Sequence, residues 1–169
     1  TTSGCGGAVS QSWPHYCPVD ETIYLDETFF EELKNKFGWS DDDVAQAYVI
    51  AHEVGHHVQH LRWTTELVAE ARARWTQEWN EASIKLELQA DCYAGVWMSA
   101  INEEWILEEN EIAEALEAAW AVGDDSIQKK VNGTVRPETW THGSSEQRKL
   151  WFERWFQSGT PSMCDTFDT

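Results

Sequence analysis

The sequence predicts a mainly α fold with a small, short-stranded β element near the N-terminus. Three observations predict it: long stretches with apolar residues every three or four positions, an opening of about 20 residues rich in Gly, Ser, Pro and Cys, and one short strand-like run, Thr22-Ile23-Tyr24-Leu25. With 169 residues, 41% of them hydrophobic, the chain has material for one well-buried core and no need of a second. Residues 1–169 therefore read as a single domain.

Residues 1 to 20 read as irregular structure held by covalent linkage rather than by a core. The four cysteines, Cys5, Cys17, Cys92 and Cys164, contain no C-x-x-C pair and allow three disulfide pairings. Position favours Cys5 with Cys17, stapling the N-terminal segment, and Cys92 with Cys164, tying down the tail, because chain ends otherwise fray. Such bridges imply an oxidising, extracytoplasmic compartment, as for a secreted protein or the ectodomain of an anchored one; four free thiols in a cytosolic protein are the other reading. After the strand, Asp26 is placed to cap a helix through about Phe37, with Phe29, Phe30, Leu33 and Phe37 inward and Gly38 as its stop. Ser40, with Asp43 three residues on, opens the next helix. Its stripe of Val44, Ala47, Tyr48, Ala51, Gly55 and Val58 predicts burial.

Between Trp63 and Asn80, Leu67, Ala71, Trp75 and Trp79 recur at four-residue spacing on an amphipathic helix. Their stripe reads as core, or, where exposed, as the wall of a peptide groove. Ser83 is expected to cap a further helix through Leu86, Leu88, Ala90 and Tyr93 to about Ile101. Two more helices span about 108 to 120 and 124 to 131. A loop with Pro137 runs from Gly133 to Gly143, and a last helix from Glu146 to Gln157 carries Leu150, Trp151, Phe152, Trp155 and Phe156 on its apolar side.

Twelve Lys and Arg against 30 Asp and Glu give a net charge of -18, which argues against nucleic acid or an anionic membrane as a partner and leaves a basic partner open. No run of 18 apolar residues exists, so no membrane-spanning segment is expected in this chain. The start at Thr1-Thr2-Ser3 without Met reads as a trimmed or mature chain. A signal or anchor before residue 1 stays open, as does the oligomeric state.

The chemistry concentrates in Ala51-His52-Glu53-Val54-Gly55-His56, which contains H-E-x-x-H within a predicted helix. Residues four apart on a helix lie about 40° apart around the axis, so His52 and His56 share a face and can hold one metal ion. Glu53 beside them can take a proton from a water whose pKa the metal has lowered to about 7. A catalytic zinc site needs a third protein ligand. In the metzincin pattern that ligand is a His six residues past the second, with a Gly between them. Here those positions are Arg62 and Gln59, which excludes that class. His57 points off the metal face and His60 lies one turn beyond His56, so both read as ordinary helix histidines.

Glu87-Leu88-Gln89-Ala90-Asp91 supplies the better answer. It falls on a separate predicted helix, with two carboxylates four apart on one face. Glu87 can complete the metal set, and Asp91 can accept a hydrogen bond from the ring N–H of a ligating His, fixing its tautomer.

H-E-x-x-H followed by E-L-Q-A-D-C-Y-A-G resembles the putative neutral zinc metallopeptidase family of bacteria. Tyr16-Cys17-Pro18, Ile23-Tyr24-Leu25-Asp26, Thr141-His142-Gly143-Ser144-Ser145 with Gln147-Arg148, and Cys164-Asp165-Thr166-Phe167 are also similar to that family's pattern, so the likeness covers most of the chain. More distantly, the arrangement resembles gluzincins of the CAAX prenyl protease and heat-shock membrane protease type, in which E-x-x-x-D supplies the third ligand. The resemblance implies a zincin-like helical domain and one catalytic Zn²⁺. His142 resembles the Thr-His segment that follows the E-x-x-x-D helix in those relatives. By that likeness it would donate to the oxyanion of the tetrahedral intermediate. A structural loop His is the other reading. Arg148 stands as an alternative that pairs with Asp91 or Glu87, while Tyr93 and His15 rank lower.

The leading expectation is zinc-dependent hydrolysis of a peptide or protein substrate. Zinc is held by His52, His56 and Glu87, Glu53 serves as general base, and His142 steadies the oxyanion. The strand from Thr22 to Asp26 is a candidate for holding substrate by edge pairing. Two competitors remain: a catalytically inactive, zinc-stabilised extracytoplasmic binding module, and a disulfide-stapled helical domain without metal. Glu53 favours the enzyme, because structural zinc has no use for a base beside it.

Overall fold

The chain is mainly helical in a computed structural model, which describes residues 2–7, 13–32, 34–35, 43–72, 76–104, 107–108 and 110–168. Two antiparallel ribbons form the N-terminal segment. Strand β1 (Thr2–Ser3) pairs with β2 (Gly6–Gly7), and β3 (His15–Cys17) pairs with β4 (Thr22–Tyr24) so that Tyr16 faces Ile23. Only β4 is legible from its residues, and the irregular structure expected over residues 1 to 20 is corrected accordingly. Strands of two or three residues are too short to stand alone. The disulfide from Cys5, in the β1–β2 turn, to the fully buried Cys17 of β3 closes the segment covalently. The second disulfide joins Cys92 to Cys164, so both bridges have the pairing that position favours.

Helix α1 (Glu27–Glu32) begins where Asp26 Oδ1 accepts from the Thr28 backbone N–H at 3.0 Å and from its hydroxyl at 2.7 Å. The expected positions Leu33, Phe37, Gly38 and the Ser40 cap lie outside the described residues, as does Trp75. Helix α2 (Asp43–Leu61) carries the H-E-x-x-H motif. Trp63, at φ 63°, turns the chain, and α3 (Thr64–Arg72) follows. Helix α4 (Thr76–Glu103) then runs straight through Ser83, which caps nothing. The helix start expected at Ser83 is thus corrected. Thr76 to Ala94 contains neither Gly nor Pro, so the preference of a serine for a helix start is overridden by good helix formers on both sides.

Helices α5 (Glu111–Ala121) and α6 (Asp124–Asn132) follow, the latter ended by Gly133 at φ 70°. A short 3-10 turn at Pro137–Thr139 leads to α7 (Ser145–Ser158). Its start is a capping box: the Ser144 side chain accepts from the Gln147 N–H at 3.1 Å, and the Gln147 side chain accepts from the Ser144 N–H at 2.9 Å. The buried face of α7 is Ser145, Arg148, Phe152 and Trp155, whereas Leu150 is 57% exposed. The apolar side expected from sequence is therefore rotated, and it includes an arginine.

Helix α4 lies at the centre, packed chiefly on α7 and then on α2. Two glycines allow these approaches. A Cβ on Gly95 would run into the Phe152 carbonyl oxygen of α7, and one on Gly55 would stand 3.0 Å from the Ala90 Cα and carbonyl oxygen of α4. The second contact brings the motif helix against the carboxylate helix within the motif itself. The main core joins Tyr48 and Val49 of α2, Ala94 and Met98 of α4, and Ala118 of α5 to Phe152 of α7. Tyr48 and Phe152 meet edge to face at 5.5 Å, worth about 0.5–1.5 kcal/mol beyond their burial. A smaller cluster gathers Cys92, Cys164 and Trp155 behind the site.

Candidate metal centre

Helix α2 presents His52, Glu53 and His56 to Glu87 and Asp91 of α4, each from one face of its helix. Donor atoms of His52, His56 and Glu87 all lie within 4.8 Å of one another, a set that could hold a metal ion. His52 Nε2 stands 3.1 Å from Glu87 Oε2, and His56 Nε2 stands 3.5 Å from Glu87 Oε1. Both Nδ1 atoms are engaged elsewhere: His52 Nδ1 lies 2.8 Å from Asp91 Oδ1, and His56 Nδ1 lies 2.8 Å from Gln59 Oε1. Each ring therefore turns its Nε2 inward, toward the shared carboxylate.

Asp91 is fully buried and holds more than His52. Tyr48 donates its hydroxyl at 2.6 Å, and Arg148 donates from Nε at 2.8 Å and from Nη2 at 2.9 Å. Arg148, 4% exposed, also donates to the Val122 carbonyl at 3.1 Å. Its pairing with Asp91, ranked below the His142 role in the sequence, is thus a buried structural pair. Burial alone would raise the Asp91 pKa, but the Arg148 guanidinium and His52 outweigh it and hold the carboxyl well below its usual range. Glu87 is lowered in the same way by His56 and His52 against its own burial. For His52, burial opposes the charge, yet Asp91 and Glu87 raise its pKa to about 9. Glu87 thus sets a carboxylate where the two Nε2 atoms converge, while Asp91 faces the Nδ1 side of His52 and pairs with Arg148. Two imidazoles and one carboxylate are the donor set of a zinc site with an open position.

Glu53 is 5% exposed, and its Oε2 is buried without a hydrogen-bond partner among the described residues. A buried polar oxygen without a partner is costly, and the Glu53 residue borders an open space beside the donor set. That space is a cavity of about 690 Å³ reached by His52, Glu53, His56, Glu87 and His142. Trp13, Phe29, Val49, Val122 and Ile127 give it an apolar side, with the Trp13 and Phe29 rings 5.1 Å apart. Its N-terminal border is formed by His15 and Tyr16 of β3, and none of Thr22 to Asp26 lines it. The strand beside the cavity is therefore β3, not the one the sequence singled out.

His142 lies at the rim, with its side chain 52% exposed. Asp124, the first residue of α6, shapes this loop: its Oδ2 accepts backbone N–H groups of Thr141 at 2.8 Å, His142 at 2.7 Å and Gly143 at 3.1 Å, while Oδ1 lies 3.3 Å from His142 Nδ1. Burial works against the His142 charge, but Asp124 and the negative field of Glu87 outweigh it and raise its pKa. Nothing in the sequence marks Asp124 beyond its place at a helix start. His57 and His60 are tied up away from the metal set, His57 with the Tyr16 hydroxyl at 2.8 Å and His60 with Glu66 at 2.9 Å. His15 stacks on Tyr24 at 5.3 Å, and Tyr93 packs in the cluster behind the site.

The described residues contain no helix long and apolar enough to cross a membrane. A family model described as putative neutral zinc metallopeptidase matches residues 1–167. The chain is 48% identical over 168 residues to the uncharacterized protein YpfJ of Escherichia coli (strain K12), covering 99% of this chain and 58% of that protein. It is 47% identical over 176 residues to the uncharacterized protein Rv2575 of Mycobacterium tuberculosis (strain ATCC 25618 / H37Rv), covering 98% and 58%. The chain thus spans less than two thirds of the length of these relatives. No solved structure matches it significantly. On the match across residues 1–167, the chain belongs to the putative neutral zinc metallopeptidase family.

Proposed function

We propose that residues 1–169 form one zinc-dependent peptidase domain that works in an oxidising, extracytoplasmic setting. The observation that carries this reading is Glu53, a buried carboxylate with one oxygen unpartnered among the described residues, set beside the His52, His56 and Glu87 donors in a cavity large enough for a peptide segment. A zinc ion held by those three residues supplies a Lewis acid that lowers the pKa of a water and polarises a carbonyl. Glu53 accepts the proton of the attacking water and passes it to the departing amine. His142, oriented by Asp124, donates a hydrogen bond to the carbonyl oxygen as negative charge develops there. Asp91 and Arg148 keep His52 in one orientation throughout.

The apolar side of the cavity suits a substrate with an apolar side chain next to the scissile bond, and the two disulfides support the compartment. The test is a peptide-library digest with metal content measured in parallel. Cleavage beside apolar residues is expected, abolished by a chelator and restored by one equivalent of zinc. Cleavage that ignores the chelator would overturn the zinc mechanism, and full zinc occupancy with no cleavage would favour the inactive binding module.

A further inference from the structure

We infer that Gln59 and Gln89 are positioning residues for His56, forming an amide relay that connects the metal centre to the Cys92–Cys164 disulfide. Both are buried: Gln59 is fully enclosed and Gln89 is 5% exposed. Their orientation follows from two groups that can only accept. The Leu86 carbonyl lies 2.6 Å from Gln59 Nε2, and the Cys164 carbonyl lies 2.6 Å from Gln89 Nε2. Backbone carbonyls have no proton to give, so each must face an amide nitrogen, which fixes both side-chain flips. Gln89 Oε1 is then left to accept from Gln59 Nε2, at 3.2 Å, and Gln59 Oε1 to accept from the ring of His56, at 2.8 Å.

The polarity of the chain therefore runs one way, from His56 Nδ1–H through Gln59 and Gln89 to the Cys164 carbonyl. Its consequence falls on the metal. With the proton held on Nδ1, the Nε2 lone pair of His56 is committed to the side where Glu87 and His52 converge. The two ligating histidines are thus oriented differently among the described residues: His52 by a carboxylate paired to Arg148, His56 by neutral amides. The terminal acceptor is covalently placed, because Cys164 is bonded to Cys92, one residue from Asp91 on α4, and Thr166 donates to the Lys85 carbonyl of the same helix at 2.7 Å. The tail beyond α7, remote from the cavity, is in this way part of the ligand-orienting apparatus.

The inference rests on the zinc reading for its metal arm, and its test is arranged so that the two can fail separately. Zinc dissociation constants by chelator competition are compared for the wild type, Gln59→Leu, Gln89→Leu and Cys92→Ser/Cys164→Ser, each shown to be folded by circular dichroism. Gln59→Leu is expected to bind zinc roughly 10–100-fold more weakly, with Gln89→Leu shifted in the same direction by less. Loss of the disulfide is expected to weaken zinc in the wild type but to add little in a Gln59→Leu background, since both act along one chain. The independent arm is ¹⁵N NMR of the histidine rings in metal-free protein: the neutral His56 ring is expected as the Nδ1–H tautomer, becoming a mixture in Gln59→Leu. Wild-type zinc affinity in folded Gln59→Leu, or an Nε2–H tautomer in the wild type, would overturn the relay. Relay-dependent zinc binding in a protein that cleaves no peptide would leave the relay standing and remove the peptidase.

Discussion

Replacing Asp91 with Leu tests how far the metal centre depends on the buried charges behind it. Among the described residues the carboxylate accepts four hydrogen bonds, from His52, Tyr48 and twice from Arg148, and none of it reaches solvent. Summing those bonds would overstate their net worth, because the unfolded chain bonds to water instead. The larger effect is what remains: Arg148, 4% exposed, would lose its carboxylate and keep, among the described residues, the Val122 carbonyl at 3.1 Å with the Tyr48 hydroxyl and His52 Nδ1, each at 3.3 Å. Breaking a buried ion pair by removing one partner costs about 3–5 kcal/mol. For a protein of this size that corresponds to a fall in Tm of roughly 6–20 °C. The assay is denaturant unfolding of metal-free protein, so that lost zinc binding does not inflate the effect. Adding Arg148→Met in the same chain should recover most of the loss, because two apolar residues then fill the space without an orphaned charge. A cost below about 1 kcal/mol for Asp91→Leu, or a double variant no better than the single, would refute the reasoning.

Asp124→Asn should shift the alkaline limb of the pH–activity profile to lower pH, measured on a cleaved peptide. His142 donates best when protonated, and its raised pKa rests first on Asp124 against the opposing effect of burial. By the same sign, the stability that His142 gains from this pairing is complete below about pH 6.5 and is lost as pH rises through its folded pKa. Asp124 itself is lowered, the His142 hydrogen bonds outweighing burial, so its share is present above about pH 4 and is lost on acidification. Gly95→Ala should destabilise by about 1–3 kcal/mol in thermal unfolding despite a helix-propensity gain of about 1 kcal/mol, since the new methyl meets the Phe152 carbonyl. A stabilised variant would show that α4 and α7 separate easily. With a net charge of -18, Tm should rise between low and moderate NaCl as self-repulsion is screened; a fall would mean that attractive pairs dominate.

The parts of the site that repeat every four residues along one helix are legible in the sequence alone. His52 with His56 and Glu87 with Asp91 need only helix periodicity and the chemistry of zinc. Tyr48 and Asp124 stay hidden there because their partners lie far along the chain, on α4 and in the loop before α7; Gln59 stands three residues after His56 on α2, but its other partners, Leu86 and Gln89, lie across the crossing with α4. Tyr48 reads as one more member of an apolar stripe, and Gln59 as the residue that excludes another protease class. Arg148 is nearer to visible. It stands four before Phe152 and seven before Trp155, a charged residue in register with the buried face of α7, which is a sign of a buried partner. The capping box at Ser144 and Gln147 fixes that register. Ser83 misleads in the opposite sense, because a good capping residue suggests a helix start where no breaker precedes it. The short N-terminal strands depend on the Cys5–Cys17 closure more than on their own residues, so composition alone suggests irregular structure.

The most direct test of the proposed chemistry is Glu53→Gln, with bound zinc and the hydrolysis rate of one library-selected peptide measured on the same preparation. Among the described residues Glu53 is absent from the convergent donor set and holds a buried unpartnered carboxylate oxygen beside it, so the variant should retain one equivalent of zinc and lose activity about 10²–10⁴-fold. Retained zinc with undiminished hydrolysis would contradict Glu53 as the base, and a wild type that binds no zinc would contradict the metal centre itself.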